Sequence, residues 1–266
     1  DGRFHTEEAC QEYLFQLRWP EGFRCLRCGH KGYWTSARGL YLCCQCGHQH
    51  SVTAGTIFHG TRKPLTLWFK ALWWFSTRKT GVNATALQEL LGLGSYQTAW
   101  CWLQKLRTCT VFPDRSKLSG SIEADECFLG GEQSGQRGRG ARGKCKVAIA
   151  VERNGRKLGR LRMQVIDRCS TQELTSFAKD NIAPGSQITT DGWFAYRGLQ
   201  EEGYIHQAII QSKAENMESV LPGVHLVTSL VKRVLLGTFH GRFDPQYLQR
   251  YLDEYVFRFN RRTCKA

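Results

Sequence analysis

Ser121-Ile-Glu-Ala-Asp-Glu-Cys-Phe128, SIEADECF, is the stretch on which the reading of the fold turns. Ile122, Ala124 and Cys127 are interleaved with Glu123, Asp125 and Glu126, the period-two pattern of a half-buried β-strand. A carboxylate on the buried face of a strand is costly unless a metal or a cation compensates it. Taken alone, the stretch reads as an exposed strand edge with solvated acids. A second carboxylate in a similar setting, Asp191, and a basic helix beyond it turn the reading toward a site.

The segment that follows, from Gly130 to Lys144, is rich in glycine and carries Arg137, Arg139, Arg142 and Lys144. It reads either as a solvated turn or as a basic loop gripping phosphates. Two strands are then expected, Lys146–Glu152 and Gly159–Asp167, with a turn at Asn154-Gly155. Ser170 and Glu173 form a capping box opening a helix to about Ile182. A strand over 186–191 presents Asp191 at its end, followed by a short helix, Phe194–Glu202, and a fifth strand, Tyr204–Gln211. Three antiparallel strands, then helix, strand, helix and strand, is the order of a ribonuclease-H-like α+β fold. That fold sets acids from its first and fourth strands side by side. On the next helix His225, Ser229 and Lys232 share one face, and Leu226, Val227, Leu230, Val231 and Val234 form the apolar stripe.

Upstream, Thr6 and the two glutamates after it open an amphipathic helix that stops at Pro20. Cys25 and Cys28 form one C-x-x-C and Cys43 and Cys46 another, each followed directly by Gly-His. Two such knuckles offer four thiolates to one Zn2+. His30 and His48 are further possible ligands, and the ribbon reads equally as a DNA contact or a structural clip. The tryptophan-rich segment after Pro64 is a helix too apolar for a free surface, hence buried or a subunit contact. A short helix over 83–91, a Gly-Leu-Gly turn and a helix from Ser95 match a helix-turn-helix, though α-hairpins share the pattern. If it binds DNA, Ser95, Tyr96, Gln97 and Thr98 enter the major groove.

The 266 residues hold 37 Lys+Arg against 23 Asp+Glu, a formal charge of +14 that predicts a polyanionic partner, nucleic acid ahead of a membrane surface. Twelve cysteines in a mid-sized chain with paired spacings favour metal binding in a reducing compartment. No apolar run reaches the ~18–20 residues that span a bilayer, and no leader opens the sequence, so a soluble protein is expected. The absent initiator Met suggests part of a longer chain. The expected segments are 1–20 (helix), 21–55 (zinc ribbon), 56–114 (helical, with the helix-turn-helix) and 115–266 (ribonuclease-H-like).

With these motifs assembled, the chain resembles the zinc-ribbon insertion-sequence transposases of bacteria and archaea related to the eukaryotic Merlin elements (ISXO2-like). The resemblance rests on F-x-x-E-E-A-C, the two knuckles, G-L-x-S-Y-x-T-A-W, E-x-D-E-x-x-x-G-G with its R-G-R-G-x-x-G-K loop, T-D-G-W, K-R-x-L-L-G-T and F-R-F-N-R-R. It implies a DDE-type recombinase that acts on double-stranded DNA, transposon ends and target. Two aspartates and a third residue hold two Mg2+ or Mn2+ ions, one activating a water or 3′-hydroxyl and the other stabilising the leaving oxygen. Asp125 matches the first acid and Asp191 the second. The third position falls on His225, seven residues before Lys232, where the family often has Glu or Asn. Imidazole suits Mn2+ better than Mg2+, which prefers oxygen. Glu215 or Glu218 offers an oxygen without the lysine spacing. Lys232 would hold an end phosphate, with Arg233 as its helper. A homodimer or larger assembly and a cytoplasmic, nucleoid-associated location are implied. Beside this enzyme stand a catalytically inactive or domesticated DNA-binding protein, for which His225 is the main support, and a structure-specific nuclease of the same fold.

Overall fold

The computed structural model describes residues 2–130, 144–209, 221–239 and 243–264. The chain divides into two compact units, Asp1–Thr77 with Ala84–Ala99, and Arg78–Asn83 with Trp100–Ala266.

In the first unit the Thr6 hydroxyl accepts from the Ala9 N–H at 3.2 Å and opens helix α1 (Glu7–Arg18). Glu7 then does a second job. Its carboxylate accepts the Leu65 and Thr66 N–H groups at 2.9 and 3.3 Å, capping helix α2 (Leu65–Thr77) from outside its own sequence neighbourhood. Strands β1 (Tyr33–Thr35), β2 (Tyr41–Cys43) and β3 (Gln49–His50) form an antiparallel sheet in that order. Of the tryptophan-rich helix, Trp68, Phe69, Trp74 and Phe75 are buried, whereas Trp73 is 56% exposed. Helix α3 (Ala84–Leu91) ends at Gly92, whose φ of 62° lets the chain reverse while the Leu93 N–H returns to the Gln88 carbonyl at 3.0 Å. Helix α4 (Tyr96–Thr108) follows, its residues from Trp100 onward belonging to the second unit.

The second unit is built on a five-stranded mixed sheet in the order β6-β5-β4-β7-β8. Its strands are β4 (Ser121–Leu129), β5 (Cys145–Asn154), β6 (Lys157–Ile166), β7 (Gln187–Thr190) and β8 (Ile205–Ala208). The first three are antiparallel, and β7 and β8 run parallel to β4 and to each other. The β5–β6 reversal is Gly155-Arg156, one residue later than the sequence suggests, because Asn154 still pairs with Lys157 and Gly155 takes the positive φ of 62°. Helices α5 (Thr171–Asn181), α6 (Pro222–Phe239) and α7 (Leu248–Asn260) complete the unit.

The expected half-buried β4 is instead buried on both faces, as befits the middle strand of a covered sheet. Cys127 and Leu129 pack with Val147, Ile149, α6 and α7. Ile122 and Ala124 pack on the opposite face with Ala148, Ala150 and α5. The free edge of β6 is closed by side-chain amides of α7. Asn260 accepts the Leu161 N–H at 2.7 Å and donates to its carbonyl, and Gln249 does the same for Val165 and Met163. A buried ion pair, Arg107 Nε to Glu254 Oε2 at 2.8 Å, ties α4 to α7, with Arg258 on the other carboxylate oxygen.

Candidate active site and metal centre

Strand parity sorts the three acids of SIEADECF. Glu123 and Asp125 share the α6 face with Cys127, and Glu126 lies on the other. Glu123 is buried and fully engaged. Its Oε2 accepts the Gly223 and Val224 N–H groups at 2.7 and 3.0 Å, and its Oε1 meets Arg153 Nε at 3.2 Å. It therefore caps the first turn of α6. A Cβ on Gly223 would lie 2.8 Å from that same Oε2, so only glycine permits so close an approach.

This cap sets the position of His225 one step further along α6. Its Nε2 lies 3.8 Å from Asp125 Oδ2, the ring 55% and the carboxylate 17% exposed, so the pair meets at the solvent boundary. Asp125 Oδ1 accepts the Glu126 N–H at 2.7 Å. Asp191 lies just past β7, where its Oδ1 accepts the Trp193 N–H at 2.9 Å across the Gly192 turn. The parallel pairs Ser121–Gln187, Ile122–Ile188 and Glu123–Thr189 share one register. The pairing ends at Glu123–Thr189, and Asp191 stands two residues beyond it, just past the end of β7 at Thr190. The phenol of buried Tyr196 responds to the same cluster. Burial raises it well above its ordinary value, followed by the charges of Glu126, Asp125 and Asp191. Burial pushes the Cys127 thiol up to about 12, with the charge of Lys232 acting against that shift.

The α6 stripe differs from expectation. Val224, Val227, Val231 and Leu235 are buried, and Leu226 is 50% exposed, because the meridian facing the sheet runs one residue to the side of the predicted one. His225, Ser229, Lys232 and Arg233 are all exposed. At the start of α4, Ser95, Tyr96 and Gln97 are exposed and Thr98 half-buried. Lys144 is half-buried beside β5, whereas Arg137, Arg139, Arg142, Glu215 and Glu218 lie outside the described residues.

The cysteine tetrad is tighter. Cys25, Cys28, Cys43 and Cys46 hold their sulfurs within 4.8 Å of one another, the only such group of three or more metal-ligating side chains among the described residues. Asp125, Asp191 and His225 are not gathered to that degree. The Cys25–Cys46 and Cys28–Cys43 sulfurs are 3.6 and 3.5 Å apart, close to the ~3.8 Å edge of a tetrahedron with 2.3 Å Zn–S bonds. The two Gly-His repeats are the mechanism. Gly29 and Gly47 take φ of 76° and 66°, and the Cys25 and Cys43 N–H groups close on the His30 and His48 carbonyls at 2.9 and 3.0 Å. Backbone rather than imidazole is thus what those histidines contribute to the knuckles. The ring at the tetrad is His50, buried, with Nε2 3.3 Å from Cys25 Sγ. Pairing of His50 with buried Tyr41 across β2–β3 is the pattern that marks it as inward. Burial acts to raise the Cys25 thiol, but the Cys28 and Arg27 N–H groups and His50 outweigh it and bring it to about 5. The donor set fits a structural Zn2+.

Residues 117–260 match the ISXO2-like transposase domain, and residues 5–49 the transposase zinc-ribbon domain. The chain belongs to the ISXO2-like transposase family. No curated protein matches it. The transposase has the mixed sheet that the ribonuclease-H-like fold of this domain requires, and four cysteines for its ribbon zinc. No helix among its described residues is long and apolar enough to cross a membrane.

Proposed function

We propose that the protein binds transposon-end DNA, cuts it in a metal-dependent reaction and joins the 3′ ends to target DNA. The observation that supports this reading is the parallel pairing of β4, which carries Asp125, with β7, which leads to Asp191, together with His225 at 3.8 Å from Asp125. That separation falls between the ~3 Å of adjacent and ~4.2 Å of opposite ligands around an octahedral ion with ~2.1 Å bonds. Asp125, Asp191 and His225 would hold Mg2+ or Mn2+. The ions, when bound, supply an activated water or 3′-hydroxyl and stabilise the leaving oxygen. The chain's own part is to hold those ligands on rigid elements. Glu123 fixes the α6 terminus, the Gly192 turn fixes Asp191, and Lys232 and Arg233 present cations to an end phosphate.

Helices α3 and α4 act as a helix-turn-helix whose Ser95, Tyr96, Gln97 and Thr98 read the major groove, supported by the exposure of the first three. Arg137, Arg139, Arg142 and Lys144 grip phosphates. The working segments are 1–20, 21–55, 56–114 and 115–266, and the protein acts at the nucleoid as at least a dimer on paired ends. A duplex carrying the element's terminal repeat tests the reading. Nicking in Mn2+ that vanishes in both Asp125→Ala and Asp191→Ala supports it, and undiminished nicking in either variant refutes the assignment.

A further inference from the structure

Away from β4 and α6, a cavity of about 470 Å3 opens where the segment before β4 passes the β6 edge and the end of α7. Arg115, Arg160, Arg162 and Arg261 line it against a single carboxylate, Asp114. The four guanidiniums are not equivalent. Arg160 is neutralised by Glu152, which it meets at 2.6 Å and which also accepts the Ser119 N–H. Arg115 donates to the Asn181 side chain at 3.2 Å. Arg162 is only 5% exposed, yet its guanidinium donates to two neutral acceptors, the Leu161 and Ser116 carbonyls, at 3.0 and 2.8 Å. Among the described residues neither Arg162 nor Arg261 forms an ion pair. A buried guanidinium does not shed its proton near neutrality, so Arg162 is a desolvated cation at the cavity wall whose nearby negative charge, Glu152, is already paired with Arg160. Burial, then Arg115 and Arg160, depress it to about 10, with Glu152 acting against that shift.

Beside these cations is an aromatic wall. The Arg261 guanidinium lies 4.1 Å from the Phe257 ring centroid and 5.7 Å from that of Phe112, and Phe112 is 56% exposed. An exposed phenyl ring and a planar guanidinium next to an anion site match the two parts of a nucleotide, base and phosphate. A duplex keeps its bases stacked and presents phosphates alone. An unpaired strand offers both.

We propose that this arginine-walled cavity binds an unpaired DNA strand, taking a backbone phosphate on Arg162 and Arg261 and stacking a base on Phe112. The proposal deepens the reading of the chain as a DNA-cutting transposase, since cut ends expose single strands, and it rests on that reading for its ligand. A fluorescein-labelled oligo-dT 12-mer is titrated with the full chain by fluorescence anisotropy at several salt concentrations. A blunt duplex serves as second probe and adenosine monophosphate as competitor. Phe112→Ala and Arg261→Ala, both at exposed positions, should weaken the single strand about fivefold or more while the duplex stays within about twofold. Arg162→Met, checked for folding by its melting transition, should also flatten the log–log salt dependence by about 0.7. Single-strand affinity unchanged in Phe112→Ala and Arg261→Ala overturns the proposal. So does equal weakening on the duplex, or displacement by the mononucleotide at the strand's own affinity, which makes a free nucleotide the ligand. Nicking of the terminal-repeat duplex by the same preparations reads the transposase activity separately, so either claim can fail without the other.

Discussion

At the residue scale, period-two geometry assigns three adjacent acids three tasks. Asp125 faces His225, Glu123 caps α6, and Glu126 lies across the sheet near Tyr196. His225 is the residue whose chemistry differs most from an all-oxygen site. Imidazole is a softer ligand than carboxylate, so His225→Asp should raise nicking in Mg2+ relative to Mn2+. Parallel cleavage assays in the two metals check this, and an unchanged metal preference would remove His225 from the ion's surroundings. Glu123 makes a different prediction. Glu123→Ala leaves the Gly223 and Val224 N–H groups and Arg153 without their buried partner, so stability should fall by about 1–3 kcal/mol in urea unfolding. Nicking should fall with it because His225 rides on that turn.

At the element scale, the zinc ribbon is a pair of identical turns, each made by a glycine in positive φ and a histidine carbonyl. The repeated C-x-x-C-G-H made those turns legible, as the Thr6 cap did for α1 and the Ser170–Glu173 capping box for α5. His50 was less legible, because its inward aim comes from pairing with β2 and not from distance to a cysteine in sequence. Long-range capping was likewise hidden. Glu7 serves α2 and Glu123 serves α6 across separations that no local pattern encodes. The stripe of α6 slipped by one residue because valines and leucines occur on both sides of the true meridian. Removal of one ligand tests the ribbon. Cys28→Ala should reduce the metal content from about one zinc per chain to near zero, read by elemental analysis. Zinc retained at full occupancy in that variant would show that the four sulfurs do not share an ion.

At the scale of the whole molecule, a charge of +14 coexists with a carboxylate-bearing centre. Fields of this sign draw polyanions to the surface, and the acids at the centre then need cations to accept a phosphate beside them. The mixed strand order, β4 central with antiparallel partners on one side and parallel partners on the other, is what puts the strand bearing Asp125 beside the strand leading to Asp191. That order was readable from the succession of strands and helices, and with it the neighbouring of the first and fourth strands; the pairing register of β4 with β7 was not. The most direct test of the account is Mn2+ binding followed by electron paramagnetic resonance on the DNA-bound protein with its ribbon zinc in place. The wild-type chain is expected to bind Mn2+, and binding is expected to be lost, with folding intact, in Asp125→Asn and in Asp191→Asn. Mn2+ uptake equal to wild type in both variants would contradict the account.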